Sequence, residues 1–198
     1  MTLRLRRYAV CLALTIPFAA HVVLAAPGQE PGTKATLAGF QKQVNDYLAL
    51  RWRATRDLPP LPSAAKVPEI VATIELQVRA IRRARDGARS GEIFTSDVAI
   101  LLRQNLSATI DEHNLDVAQL LEYAACDAPV FLGRPRPGDR LPWLRAARMP
   151  ELLLTALPPL PFELQYRFVQ RDLVLLDIDL GLVIDVLPDA LPKPHSDR

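Results

Sequence analysis

Leu164-Gln165-Tyr166-Arg167-Phe168-Val169, Leu173-Val174-Leu175-Leu176-Asp177-Ile178 and Leu182-Val183-Ile184-Asp185-Val186-Leu187 are three Leu-rich and β-branched runs separated by short gaps. The first alternates polar and apolar side chains, the period of a strand with one covered face. Turn signals lie at Arg171-Asp172 and Asp179-Leu180-Gly181. Runs of this length with short gaps predict an antiparallel three-stranded meander. Three strands alone are marginal in water unless one face is covered. The cover has to come from upstream, so the fold expected is α+β, with four to five helices packed on a small C-terminal sheet.

The upstream sequence offers those helices. Leu37, Phe40, Val44, Tyr47, Leu48 and Trp52 recur at helical spacing and predict a helix from about Lys34 to Arg56. Leu58-Pro59-Pro60-Leu61-Pro62 stops it, because proline removes a donor and restricts the residue before it. Ile70, Ile74, Val78 and Ile81 mark a second helix from about Val67 to Ala88, with Pro68 in its first turn. A third follows Thr95 or Ser96, with Asp97 at its positive dipole end. Val98, Leu101, Leu102, Asn105, Leu106 and Ile110 form its inward face, and Asn114 or Asp116 caps a shorter fourth through Leu120, Leu121 and Ala124. Pro129, Pro135, Pro137 and Pro142 with Gly133 and Gly138 then break the pattern into a loop over 127–149. Met149 to Ala156 reads as a short helix, closed by a second Leu-Pro-Pro-Leu-Pro at 157–161.

The N-terminus carries an address. Arg4, Arg6 and Arg7 precede a stretch from Tyr8 to Ala26 without a charged residue, and small residues at Val23-Leu24-Ala25 suit cleavage after Ala25. This is the pattern of a secretory signal peptide over 1–25. The alternative is an uncleaved anchor, against which Pro17 and His21 interrupt the apolar run. Leu5 before Arg6-Arg7 and Ala9 after it fit the general route better than the twin-arginine route. The expectation is a periplasmic or secreted chain with no transmembrane segment after cleavage, a lead-in at 26–33, one α+β domain over 34–192 and a tail at 193–198.

Cleavage changes the arithmetic. The whole chain of 198 residues has 24 Lys+Arg against 22 Asp+Glu, and residues 26–198 keep 21 against 22. What is left is polarised: residues 34–89 hold 11 basic against 5 acidic residues, and residues 150–198 hold 4 against 8. The near balance gives no general pull toward nucleic acid. An apolar content of 49% excludes a disordered chain, and two Cys exclude a disulfide scaffold.

Ser90-Gly91-Glu92-Ile93-Phe94-Thr95 ahead of a helix, together with the terminal meander from Glu163 to Pro188, resembles an uncharacterised family of small exported bacterial proteins, over Phe40 to Pro192. The resemblance implies no activity, cofactor or catalytic residue.

No phosphate-binding Gly-rich loop, nucleophile elbow, H-E-x-x-H or C-x-x-C occurs, so no cofactor and no catalytic or metal residue is assigned. Weaker constellations remain. Asp111-Glu112-His113 with Asp116 holds donors for a divalent metal, or is a solvated helix connection. Cys126 is a buried small apolar residue or pairs between chains. Asp177, Asp179 and Asp185 read as solvated edge or turn residues, or as an acid–base pair. Arg79, Arg82, Arg83 and Arg85 crowd the end of the second helix, a basic face for an anionic surface or cations answering the helix dipole. Arg134-Pro135-Arg136-Pro137 with Arg140, Trp143 and Arg145 is the most suggestive loop: proline pre-sets an extended backbone, and Arg and Trp favour binding hot spots. Its alternative is a stiff connector.

Three functions follow. The first is a non-enzymatic binding module of the cell envelope, contacting a protein or anionic surface through Arg134, Arg136, Arg140 and Trp143, and secondarily through Arg79, Arg82 and Arg83. The second is a small hydrolase using the aspartates. The third is a peripheral binder of anionic membrane.

Overall fold

The computed structural model describes residues 31–126, 133–141 and 149–194. Five helices precede three strands: α1 (Pro31–Thr55), α2 (Val67–Ala84), α3 (Ser96–Glu112), α4 (Val117–Cys126), α5 (Glu151–Thr155), β1 (Leu164–Val169), β2 (Asp172–Asp177) and β3 (Leu182–Leu187). The strands form an antiparallel sheet in the order β1-β2-β3. The fold is α+β, as the period change along the sequence predicts.

Register decides which side chains face the helices. β1 and β2 pair from Leu164↔Asp177 to Val169↔Asp172, leaving Gln170 and Arg171 as a two-residue hairpin. The turn therefore sits one residue earlier than the Arg171-Asp172 signal, with Gln170 at φ 53° and Asp172 already in the strand. β2 and β3 pair as Leu173↔Leu187, Val174↔Val186 and Leu175↔Asp185, then as Leu176↔Val183 and Asp177↔Leu182. One extra residue thus stands in β3 opposite the Leu175/Leu176 step, a β-bulge.

The helix-facing core gathers Leu164, Tyr166, Phe168, Leu173, Leu175, Leu182, Ile184 and Leu187 with Phe40, Val44 and Tyr47 of α1, Val78 and Ile81 of α2, and Leu102 and Leu106 of α3. Phe94 stacks between Phe40 and Tyr166, with centroids 6.4 Å apart in each pair. Each large apolar side chain buried this way is worth about 1.5–3 kcal/mol. The second face of the sheet is buried too, where Leu141 packs with Val169, Val174, Leu176, Val183 and Val186. That explains why β2 and β3 read as continuous apolar runs: strands covered on both faces need no polar alternation.

The helix ends obey local chemistry. Asp116 Oδ1 accepts from the Ala118 N–H at the start of α4, and Glu69 Oε2 accepts from Lys66 N ahead of α2. α2 stops at Ala84, short of Ala88: Arg85 caps it with φ −116° and ψ 31°, and Gly87 turns the chain away at φ 78°.

Candidate functional site

The two basic stretches singled out in the sequence meet. Residues 133–141 run beside the edge of β3: Gly138 N donates to Val183 O (2.8 Å), Val183 N to Asp139 O (2.9 Å) and Leu141 N to Gly181 O (2.8 Å). This strap covers the β3 edge that would otherwise present unpaired groups. Arg82 Nε donates to the Gly138 carbonyl at 2.7 Å and fastens the strap to α2. Between strap and helix lies an open cleft of about 350 Å³, lined by Arg82, Arg85, Asp86, Gly87, Pro137 and Asp139 over a floor of Ile81, Leu182 and Val183.

The guanidinium groups around it divide by task. Arg85 is committed inward: Nη1 donates to Ile184 O, Nη2 pairs with Glu92 at 2.8 Å, and the group lies 5.6 Å from the Tyr47 ring centroid. Arg140 pairs with Glu75 at 2.8 Å. Glu75 is thus engaged across space, not with Arg79 one turn along. Arg134 reaches Asp189 at 3.2 Å and Asp172 at 4.0 Å. Arg82 keeps both Nη groups beyond the bond to Gly138. Arg79 and Arg83 on α2 and Arg136 on the strap are exposed, and among the described residues their guanidinium groups make no ion pair. Trp143 and Arg145 lie outside the described residues. The cleft also holds two carboxylates that sequence reading left out, Asp86 and Asp139; a Pro137-Gly138-Asp139 turn signal was the only hint of the second.

The aspartates of the sheet are a correction. Asp177 and Asp185 are fully buried, not solvated edge residues. Asp177 Oδ2 accepts from Tyr47 Oη at 2.7 Å and forms an ion pair with Arg51, whose Nε lies 2.9 Å away, while Oδ1 accepts from Leu180 N. Arg51 Nη2 continues to Asp179 at 2.8 Å. Asp185 has no cation on it. Its oxygens accept backbone N–H groups from Gly91 (2.8 Å), Ile93 (2.7 Å), Phe94 (2.8 Å) and Val186 (2.8 Å). Burial raises the carboxyl group of each above the ordinary range, against the bonds that stabilise its charged form. Burial, with Asp177 beside it, also raises the Tyr47 hydroxyl. Burial opposes the charge on Arg51, and the carboxylates of Asp177 and Asp179 overcome that and raise it.

These bonds explain Ser90–Thr95. Gly91 sits at φ 92°, a conformation that side chains disfavour. Glu92 accepts from Arg89 N and Arg85. Ile93 and Phe94 send their N–H groups to Asp185 and their side chains into the core. The segment clamps the start of α3 to β3. Both fully buried carboxylates are thus occupied by internal donors, and the third buried one, Asp172, accepts from Asp189 N.

Asp111, Glu112 and His113 are exposed at the end of α3, and Asp116 is spent on the α4 cap. Among the described residues no group of three or more His, Cys, Asp or Glu could hold a metal ion. Cys126 is the last residue of α4. Among the described residues no helix is long and apolar enough to cross a membrane. Compared with protein-family models, curated proteins and solved structures, the chain matches none.

Proposed function

We propose that the chain is an exported, non-enzymatic binding module of the bacterial envelope, and that its contact surface is the cleft between α2 and the strap. The observation that carries this reading is a set of exposed guanidinium groups that make no ion pair among the described residues and flank one cleft: Arg82 lines it, Arg79 and Arg83 share its helix, and Arg136 precedes the lining Pro137 on the strap. The pre-set backbone of Arg134–Pro137 lowers the entropy lost on binding. An acidic segment of an envelope protein is the partner that such a surface selects. Export rests on the basic n-region and uncharged run before Ala26.

The test is affinity capture from envelope extract with the tagged chain and with a triple variant, Arg79→Ala, Arg83→Ala and Arg136→Ala. None of the three makes an internal ion pair, so the variant should unfold at the wild-type temperature while losing its co-purifying partners. Identical partners for the two chains would remove the assignment.

A further inference from the structure

We infer that the cleft where α1, α2 and the turn into β1 meet is a binding site for a neutral saccharide. Leu48, Arg51, Trp52 and Thr55 stand at i, i+3, i+4 and i+7 and so share one face of α1. With Gln77 of α2 and Glu163, the residue ahead of β1, they line a cleft of about 280 Å³. Thr55 and Gln77 also line the adjoining cleft of about 500 Å³, which runs past Asp179 to Pro59 and Pro60. Together the two fall in the size range of small-molecule sites, about 300–1,000 Å³.

The ligand class follows from what these side chains already hold. Arg51 pairs with Asp177 through Nε and with Asp179 through Nη2, which fixes its guanidinium and leaves Nη1 without an internal bond. Among the described residues the Gln77 amide, the Trp52 Nε1–H and the Glu163 carboxylate also make no hydrogen bond or ion pair. Thr55 Oγ1 donates to Arg51 O at 2.8 Å and keeps its lone pairs. The cleft therefore offers both donors and acceptors. A hydroxyl group donates and accepts, and so answers all of them. An ammonium or guanidinium ligand has no acceptor for Arg51, Gln77 and Trp52. A carboxylate or phosphate has no donor for Thr55 and Glu163, and Glu163 repels it.

The Trp52 ring supplies the apolar half of the site. It is 61% exposed, with half-buried Leu48 one turn before it. A pyranose carries a face of C–H groups, which packs on an indole while the hydroxyls at its rim reach polar groups. The Arg56 guanidinium stands 5.1 Å from the ring centroid, but Arg56 lines the adjoining cleft and not this one. That adjoining cleft suits a second sugar ring. Leu58, Pro59 and Pro60 line it, and among the described residues their carbonyls accept no hydrogen bond, so they remain as acceptors for further hydroxyls.

The test is calorimetric titration of the full chain with two uncharged β-1,4-linked trisaccharides, chitotriose (N-acetylated) and cellotriose (unmodified), and with lysine and glutamate as charged probes. Binding of either trisaccharide is the expected result, and a preference between them separates an acetamido glycan from a plain one. Raising salt from about 0.05 M to about 0.5 M should leave the affinity unchanged, because a neutral ligand has no charge to screen. In a Trp143→Phe chain, where Trp52 is the sole tryptophan, its emission should shift to shorter wavelength as the sugar is added. Trp52→Ala should weaken binding about tenfold or more, and Gln77→Ala about fivefold, the loss of a neutral hydrogen bond. Both variants should unfold within a few degrees of the wild type. The Arg79, Arg83 and Arg136 triple variant should bind the trisaccharides like the wild type, since the cleft between α2 and the strap shares no lining residue with this one. Binding of neither trisaccharide overturns the inference, as does undiminished binding by Trp52→Ala. Binding of lysine or glutamate in their place overturns it too and gives the cleft a charged ligand.

Discussion

Asp185 shows how much a single carboxylate can organise. Its four backbone donors come from β3 itself and from Gly91, Ile93 and Phe94 ahead of α3. Truncating it strands buried N–H groups, each costing about 1–3 kcal/mol. Asp185→Ala should therefore destabilise the protein by about 3 kcal/mol or more in urea unfolding. Its titration has a sign. A folded carboxyl raised above its unfolded value binds more protons in the folded state, so its contribution is fullest below the unfolded value, near pH 4, and is lost as pH rises through the raised folded value. The urea midpoint, measured upward from pH 4, should carry that falling component in the wild type and lose it in Asp185→Asn. The sequence exposed the residue but not its burial. Alternation along β3 puts Leu182 and Ile184 on the helix side and Asp185 with Val183 on the other, and only the extra residue in the strand turns it back opposite Leu175. A bulge leaves no mark that spacing can read.

At the level of elements, the strap and α2 hold each other through two side-chain bonds, Arg82 Nε to Gly138 O and Arg140 Nη1 to Glu75 Oε1. Arg82→Met should keep the α2 packing and release the strap, seen as faster amide exchange at Gly138 and Leu141 with β2 amides unchanged. Unchanged exchange at those two amides would show that the ladder to β3 and the Arg140–Glu75 pair hold the strap without Arg82. The helices, the strands and the stops after α1 and α5 were legible because periodicity and proline act within one turn of chain. The Leu-Pro-Pro-Leu-Pro segments do end helices, and each also lines an apolar cleft, the first of about 500 Å³ with Ile70 and Ile74, the second of about 430 Å³ with Leu154 and Tyr166. The basic loop read as an extended presenter, yet its Arg134 and Arg140 turn toward Asp189 and Glu75. Those partners are far away in sequence, so no local pattern announces them.

For the whole molecule, the polarised charge map has a structural use. The basic α1 reaches the acidic C-terminal sheet through Arg51, which joins Asp177 and Asp179. Among the described residues Arg79, Arg82 and Arg83 of α2 and Arg136 of the strap make no ion pair and stay at the surface. The proposed export predicts that the chain recovered from the periplasm or medium has, by intact-mass spectrometry, the mass of residues 26–198; a mass retaining residues 1–25 would contradict cleavage. By itself the sequence determined the class of fold, the order of its elements, their approximate ends and the uneven distribution of charge, because these follow from side-chain period and backbone restrictions over a few residues. Only the tertiary structure decided which aspartates are buried and which arginines remain free. Those outcomes depend on register and on contacts between residues up to 130 positions apart, as between Tyr47 and Asp177.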